Sequence, residues 1–156
     1  MYKTILVPHA GTSAGDEALK HTIHAAKDTS VQIIILHIVE EIQHPRSFGL
    51  SESERENMFD SIKEANEEIR KGMEKEMEKR LQQCKDSNIE SQIKVAIGDA
   101  AEIILDAIDE EKVDLVVMAK RRKLKGMRNL LSMGNVSRKI VENTSCPVLL
   151  IDGENK

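Results

Sequence analysis

Aromatic side chains are scarce in this chain of 156 residues, which contains one Tyr, two Phe and no Trp. Proteins usually hold single-stranded nucleic acid by stacking its bases on aromatic rings, so the scarcity of aromatic residues argues against binding of single-stranded nucleic acid. The core must instead be aliphatic. Only three Pro and eight Gly occur, while 40% of the residues are hydrophobic and 32% are charged. This composition excludes collagen-like, low-complexity and wholly disordered chains.

Cysteine is also scarce, and Cys84 and Cys146 match neither a metal-binding spacing nor a disulfide framework. No signal peptide is recognisable, so we expect a cytoplasmic location. The longest apolar run, residues 31–39, is about half as long as a membrane span, so no membrane partner is expected. The net charge of −4 argues against nucleic acid as a partner.

Apolar, β-branched runs alternate with segments of helical periodicity. The runs predict strands at residues 2–8, 31–39, 89–97, 114–118 and 147–151. The periodic segments predict helices at residues 13–27, 51–85, 100–111 and 134–143, with N-caps at Thr12 or Ser13 and at Asp99. Because several strands are apolar on both faces, we expect one α/β domain over residues 1–156, with a parallel sheet between two helical layers.

The second predicted helix is long and highly charged. Its apolar positions keep helical spacing and are Met58, Ile62, Ala65, Ile69, Met73, Met77 and Leu81. A coiled coil and a helix lying across the sheet both fit this stripe. The second interpretation is favoured, because strands lie on both sides of the helix in the sequence.

A ligand site is expected where the winding of such a sheet reverses, beyond the carboxyl ends of the strands. For the strand order 3-2-1-4-5 this point lies between the first and fourth strands, beside residues 9–13 and 119–134. The second loop is basic and contains Lys120, Arg121, Arg122, Lys123, Lys125 and Arg128. It ends at Gly134, where a helix start offers free backbone N–H groups. Cations beside a helix start favour phosphate binding, but the residues alone equally support a solvated loop.

Several motifs resemble the universal stress protein family. They are Ile5-Leu-Val-Pro8, residues 37–39, Gly98-Asp-Ala-Ala-Glu102, residues 114–118 and the segment from Gly134 through Cys146-Pro147 to Ile151. The resemblance covers residues 2–151. It implies a Rossmann-like, adenine-nucleotide α-hydrolase-like fold, with a doubly wound five-stranded parallel sheet of order 3-2-1-4-5 in three layers. It also implies a regulatory stress-response function and a homodimer.

The resemblance is incomplete in the loops that bind ATP in some members of that family. Those members share a G-x2-G-x9-G-[ST] loop after the fourth strand and an Asp after the first. Here Ala10 occupies the position of the Asp, and Ala119 that of the first glycine. Either Arg122 or Leu124 occupies the position of the second glycine, depending on where a gap is placed. An arginine blocks close approach of the backbone to phosphate but adds a bidentate donor.

The end of the loop is better preserved, since Gly134 remains and both Val136 and Ser137 match, although Asn135 replaces Ser or Thr. The resemblance therefore implies ATP or AMP, or a similar phosphorylated ligand, held in a modified way. The predicted binding residues are Pro8, His9, Ala10, Ile38 and Met118 around the nucleoside; Ala119, Lys120, Arg121 and Arg122 in the next loop; and Gly134, Asn135, Val136 and Ser137 at the phosphates.

An alternative function is that of a degenerate family member, a dimeric interaction module that binds an unknown protein partner and no nucleotide. The sequence has no Ser–His–acid arrangement or phosphate-binding P-loop, so we expect neither enzymatic activity nor a metal. The last strand lacks a charged residue to protect a sheet edge, and pairing with a second copy would cover it. The homodimer is predicted through Val148, Leu149, Leu150 and Ile151.

Overall fold

Strands and helices alternate along the chain in a computed structural model, which describes residues 2–41, 48–120 and 134–152. The strands are β1 (Thr4–Pro8), β2 (Gln32–Val39), β3 (Glu90–Ile97), β4 (Leu115–Lys120) and β5 (Val148–Asp152). The helices are α1 (Ser13–Ala26), α2 (Glu52–Asp86), α3 (Ala100–Glu110) and α4 (Asn135–Asn143). The predicted alternation of strands and helices is confirmed.

The five strands form one parallel sheet in the order β3-β2-β1-β4-β5, which confirms the predicted order. β1 lies at its centre, where Ile5 is opposite Ile33 of β2 and Leu115 of β4. A central parallel strand is covered on both faces, and Leu6 and Val7 of β1 are fully buried. The winding reverses between β1 and β4, where the ligand cleft is predicted.

Successive side chains of a strand point to opposite faces of the sheet, so each face has its own hydrophobic core. The first core joins the sheet to α1 and α2 through Ile5, Val7, Ala18, Leu19, Ile33, Ile35, Met77, Cys84 and Val117. The second joins it to α3 and α4 through Leu6, Ile34, Leu36, Ala101, Ile104, Ile108, Val116, Met118 and Ile140. This three-layer α/β architecture is the predicted one.

The starts of three helices are fixed by local side chains. Thr12, Ser51 and Asp99 each accept a backbone N–H from the first turn of α1, α2 and α3, respectively. The predicted caps at Thr12 and Asp99 are thus confirmed. α4 begins after Gly134, and no side chain in the described part of the chain caps it.

α2 has 35 residues and is about 52 Å long, roughly twice the length of the strands that it crosses. It packs against β2 and β3, so the prediction of a helix lying across the sheet is confirmed. Its buried residues are Asn66, Met77 and Cys84, and residues 52–65 contain none. Of the predicted apolar stripe, only Met77 is therefore fully buried; Ile69 is 40% exposed, and the other members are half-buried.

The ends of β4 differ from the prediction. The strand begins one residue after Asp114, whose carboxylate instead accepts the backbone N–H groups of Lys3 and Thr4 at 2.8 and 3.2 Å. At its other end β4 includes Ala119 and Lys120, which the sequence assigns to the following loop. Pairing with β5 extends the strand to these two residues.

Candidate functional site

The predicted cleft lies at the carboxyl ends of β1 and β4. β1 ends at Pro8, and residues 9–12, here named the β1–α1 loop, connect it to α1. β4 is followed by residues 121–133, which lie outside the described part of the chain together with the predicted ligands Arg121 and Arg122. The strand after α4 is parallel to β4, so α4 begins at this same edge of the sheet.

The start of the β1–α1 loop is tied to β2. The backbone N–H of His9 donates to the carbonyl oxygen of Leu36 at 2.8 Å. The Nδ1 of His37, a buried side chain of β2, donates to the carbonyl oxygen of His9 at 2.7 Å. Both polar groups of the His9 main chain are therefore engaged within the protein.

The side chain of His9 is fully buried beneath the first turn of α1. The N–H of Gly11 donates to Nδ1 of His9 at 3.0 Å, and Nε2 lies 3.1 Å from Oδ1 of Asp16. Because a backbone N–H only donates, Nδ1 must be unprotonated, so the proton of the neutral ring is on Nε2 and faces Asp16. Burial lowers the pKa of His9 and outweighs the opposing effect of Asp16, which favours this neutral form.

Asp16 connects His9 to α2. Its two carboxylate oxygens lie 2.9 and 3.5 Å from Nε and Nη2 of Arg80. Arg80 also donates to the carbonyl oxygen and the carboxylate of Glu76, at 3.0 and 3.2 Å. Burial acts to raise the pKa of Asp16, but Arg80 and His9 together hold it below its usual value, so the carboxylate is ionised. The network joins β1, α1 and α2.

Sequence reasoning missed this network, because Asp16 alone is explained as a favourable acid in a first helical turn. Gly15 was a usable signal, since a glycine inside a helix is unfavourable and usually has a packing reason. A Cβ at Gly15 would lie 2.9 Å from Cε1 of His9. The absent side chain makes room for the buried ring.

The residues on either side of His9 differ in exposure. Pro8 is half-buried at the end of β1, and Ala10 is exposed in the β1–α1 loop. The ring of His9 supports the loop from inside, without forming surface toward a ligand. Ala10 has no polar side-chain group, so at this position the loop offers a nucleoside only its main chain.

Three predicted binding residues belong to the core between the sheet and the α3/α4 layer. Met118 is part of that core, and Ile38 and Val136 pack against it. Leu6 of β1 belongs to the same core, so this core includes residues of β1, β2, β4 and α4. Ala119 packs with the α1/α2 core on the other face. The predicted pocket residues thus divide between the two faces of the sheet.

The predicted phosphate site is the first turn of α4, which follows Gly134. Asn135 is exposed there, whereas Ser137 is buried. Lys120 is half-buried at the end of β4, opposite Asp152 of β5. The uncapped N–H groups and the helix dipole can attract an anion to this turn. That these residues bind a ligand stays a prediction.

A groove of about 480 Å³ lies elsewhere, at the edge of β3, between Glu74 of α2 and the side chains of Asp106 and Glu110 of α3. Within residues 2–41, 48–120 and 134–152, no group of His, Cys, Asp or Glu side chains is suited to hold a metal ion. None of the helices in that part of the chain is both long enough and apolar enough to cross a bilayer.

Comparison with known proteins gives a match to the universal stress protein family over residues 1–152. The universal stress protein MJ0531 of Methanocaldococcus jannaschii is 27% identical over 157 residues, which cover 100% of this chain and 85% of the relative. A universal stress protein of Methanothermobacter thermautotrophicus is 29% identical over 151 residues, covering 97% and 96% of the two chains.

Solved structures share the fold along nearly the whole chain. Protein MJ0577, also of Methanocaldococcus jannaschii, superposes with a TM-score of 0.80 at 20% identity and covers 100% of this chain and 99% of its own. A universal stress protein in complex with cAMP gives 0.65 at 15% identity, with 98% of each chain covered. An Arabidopsis thaliana family protein with AMP bound gives 0.57 at 18% identity, with 96% and 91% covered.

Proposed function

Because the chain belongs to the universal stress protein family, we propose that it is a regulatory, non-enzymatic protein that binds an adenine nucleotide, or a similar phosphorylated ligand, between β1 and β4. The observation that carries the proposal is the start of α4 at Gly134, which no described side chain caps. The other three helices are capped by their own side chains. No described side chain occupies the N–H groups of this turn, which can therefore bind an anion that the helix dipole favours.

The nucleotide is chosen because family proteins of the same fold carry cAMP or AMP. In the proposed complex, the phosphates accept hydrogen bonds from the first turn of α4. Lys120 and the basic run that follows it in the sequence neutralise their charge. In this proposed complex, Ile38 and Met118, near the carboxyl ends of β2 and β4, contact the nucleoside.

Isothermal titration calorimetry with ATP, ADP, AMP and cAMP tests this proposal. The wild-type protein is expected to bind at least one of the four. Gly134→Glu places a carboxylate at the start of α4, so we expect its affinity to fall by about tenfold or more. Gly72→Glu is the matched control, because a Cβ at Gly72 has no neighbour within 4 Å, and its affinity should equal that of the wild type.

The proposal fails if none of the four nucleotides produces heat or a thermal shift at millimolar concentration. It also fails if Gly134→Glu binds as well as Gly72→Glu. Native mass spectrometry of freshly purified protein gives an independent check, since a mass increase equal to a nucleotide supports the proposal. Bound ATP is expected to stay intact in a phosphate-release assay.

A second candidate function is that of a dimeric interaction module that binds no nucleotide. Ala10 favours it, because the ATP-binding pattern has an Asp at this position and the side chain of alanine offers no hydrogen bond to a nucleoside. Leu149 also favours it, being 45% exposed on the edge strand β5. Calorimetry separates the two candidates, and a homodimer through β5 is proposed for both.

A further inference from the structure

We infer that His9 is a positioning residue for the ligand: its neutral ring fixes the β1–α1 loop in the conformation that meets the ligand, so protonation of His9 weakens binding. The inference rests on the proposed function, because it requires the ligand to contact this loop. The side chain of His9 is fully buried, so it acts through the loop and does not touch the ligand.

One hydrogen bond to the ring holds the centre of the loop. Gly11 has a φ of +73°, in the left-handed region that favours glycine. Its N–H donates to Nδ1 of His9 at 3.0 Å. Among the described residues, Ala10 and Gly11 make no other hydrogen bond. The conformation of these two residues therefore depends on the ability of Nδ1 to accept this hydrogen bond.

Protonation of the ring removes that ability. Nδ1 accepts only while it has a free lone pair, and a doubly protonated imidazole donates from both nitrogens. Two N–H groups would then face each other at Gly11, and the turn would have to open. The hydrogen bond from Nε2 to the ionised carboxylate of Asp16 would become an ion pair and so strengthen, and the ring would stay in place while the loop is released.

Packing prevents the ring from turning away instead. The backbone of Gly15 lies so close that a Cβ there would be 3.0 Å from both ring nitrogens of His9. The main chain of His9 is held at both of its polar groups by Leu36 and His37 of β2. Among the described residues, the hydrogen-bond partner of Nδ1 is Gly11, which lies at the exposed surface of the loop and is therefore the group that moves.

Charged groups on three elements surround His9 and set the pH at which it titrates. Burial lowers the pKa of His9, and Asp16 on α1 opposes this effect. Arg80 on α2, itself paired with Glu76, and His37 on β2 both act to lower the pKa further. The net result is a pKa below the usual value of the side chain, so the loop is expected to open only at a pH lower than that at which an ordinary histidine titrates.

A pH titration followed by NMR tests the control of the loop without any ligand. From about pH 8 down to the lowest pH at which the protein stays folded, the amide signal of Gly11 should shift along the same curve as the ring signals of His9. In His9→Asn the amide oxygen can still accept from Gly11 but does not titrate, so the Gly11 signal should stay constant. His21→Asn is the matched control, because His21 is an exposed histidine on α1, and it should keep the wild-type transition.

Calorimetry with AMP near both pH limits tests the effect on binding. AMP itself titrates in this range, but the ratio of the affinities of the wild type and His9→Asn cancels that contribution. We expect this ratio to fall by about threefold or more at the acidic limit, as expected for the loss of one hydrogen bond. His21→Asn should follow the wild type at both limits.

The inference is overturned by a Gly11 signal that does not follow His9, or by an affinity ratio that is independent of pH. If none of ATP, ADP, AMP and cAMP binds at either pH while the Gly11 transition occurs, the proposed function fails and the control of the loop by His9 stands. Should His9→Asn not fold, the two wild-type curves decide, since coincident curves support the inference and independent ones refute it.

Discussion

At the scale of single residues, the close packing of Gly15 on His9 connects helix α1 to the proposed cleft. A Cβ at Gly15 would lie 2.9 Å from Cε1 of the ring, closer than such contacts are found in proteins. The ring has no free direction, because Gly11 and Asp16 hold its two nitrogens. Gly15→Ala is therefore expected to lower the free energy of unfolding by about 1–3 kcal/mol, although alanine is the better helix former. Urea unfolding at neutral pH measures the change.

Gly72→Ala is the control for this prediction. Gly72 also lies inside a helix, α2, but a Cβ there meets no atom within 4 Å. The same replacement should raise the free energy of unfolding by about 0.5–1 kcal/mol, because it removes an unfavourable glycine from a helix interior. Stabilisation of equal size in both variants would show that the ring of His9 moves aside easily, contrary to the packing argument.

The sequence predicts single residues well where their partners are local. The caps at Thr12 and Asp99 bind backbone groups three residues away, so residue type and position suffice to identify them. Asp16 and Arg80 are 64 residues apart, and their pairing exists only after α1 and α2 have packed side by side on the sheet. For the same reason, the buried state of His9 could not be inferred from its position after a strand.

At the scale of elements, residues on the same apolar stripe of α2 differ in how much they contribute to the free energy of unfolding. Met77 is fully buried in the core between α2, α1 and the sheet, so Met77→Ala should cost about 2–5 kcal/mol. Ile69 lies on the same helix but is 40% exposed, and Ile69→Ala should cost about 1 kcal/mol or less. Urea unfolding of both variants tests the difference. Similar losses in the two variants would contradict the unequal burial of Met77 and Ile69.

Periodicity identified α2 and its stripe, but it could not show which part of the stripe is buried. That depends on the length of β2 and β3, strands of eight residues each, against a helix of 35. The end of β4 was misjudged for a related reason. Lys120 is a poor strand residue by type, and only its pairing opposite Asp152 places it in the sheet.

At the scale of the whole molecule, the order of the strands in the sheet was predictable. The two edge strands differ in their charged residues. Alternating strands and helices with right-handed crossovers leave few possible orders, and the motif resemblance selected the one that is found. β3 forms one edge and carries Glu90 and Lys94, a charged pattern typical of a protected edge. β5 forms the other edge, and its residues from Val148 to Ile151 are all apolar.

This difference leads to a prediction about assembly through β5. Leu149 is 45% exposed. Pairing of β5 with a second copy about a two-fold axis would bury this side chain and give hydrogen-bond partners to the backbone groups of the edge strand. Wild-type protein should therefore sediment as a dimer at micromolar concentration in analytical ultracentrifugation. Leu149→Lys should sediment as a monomer, since two like charges would face each other near the axis. Ile69→Lys is the control, because it adds the same charge at a similarly exposed position on α2, away from β5, and it should stay dimeric. A monomeric wild type, or a dimeric Leu149→Lys, would exclude this edge as the interface.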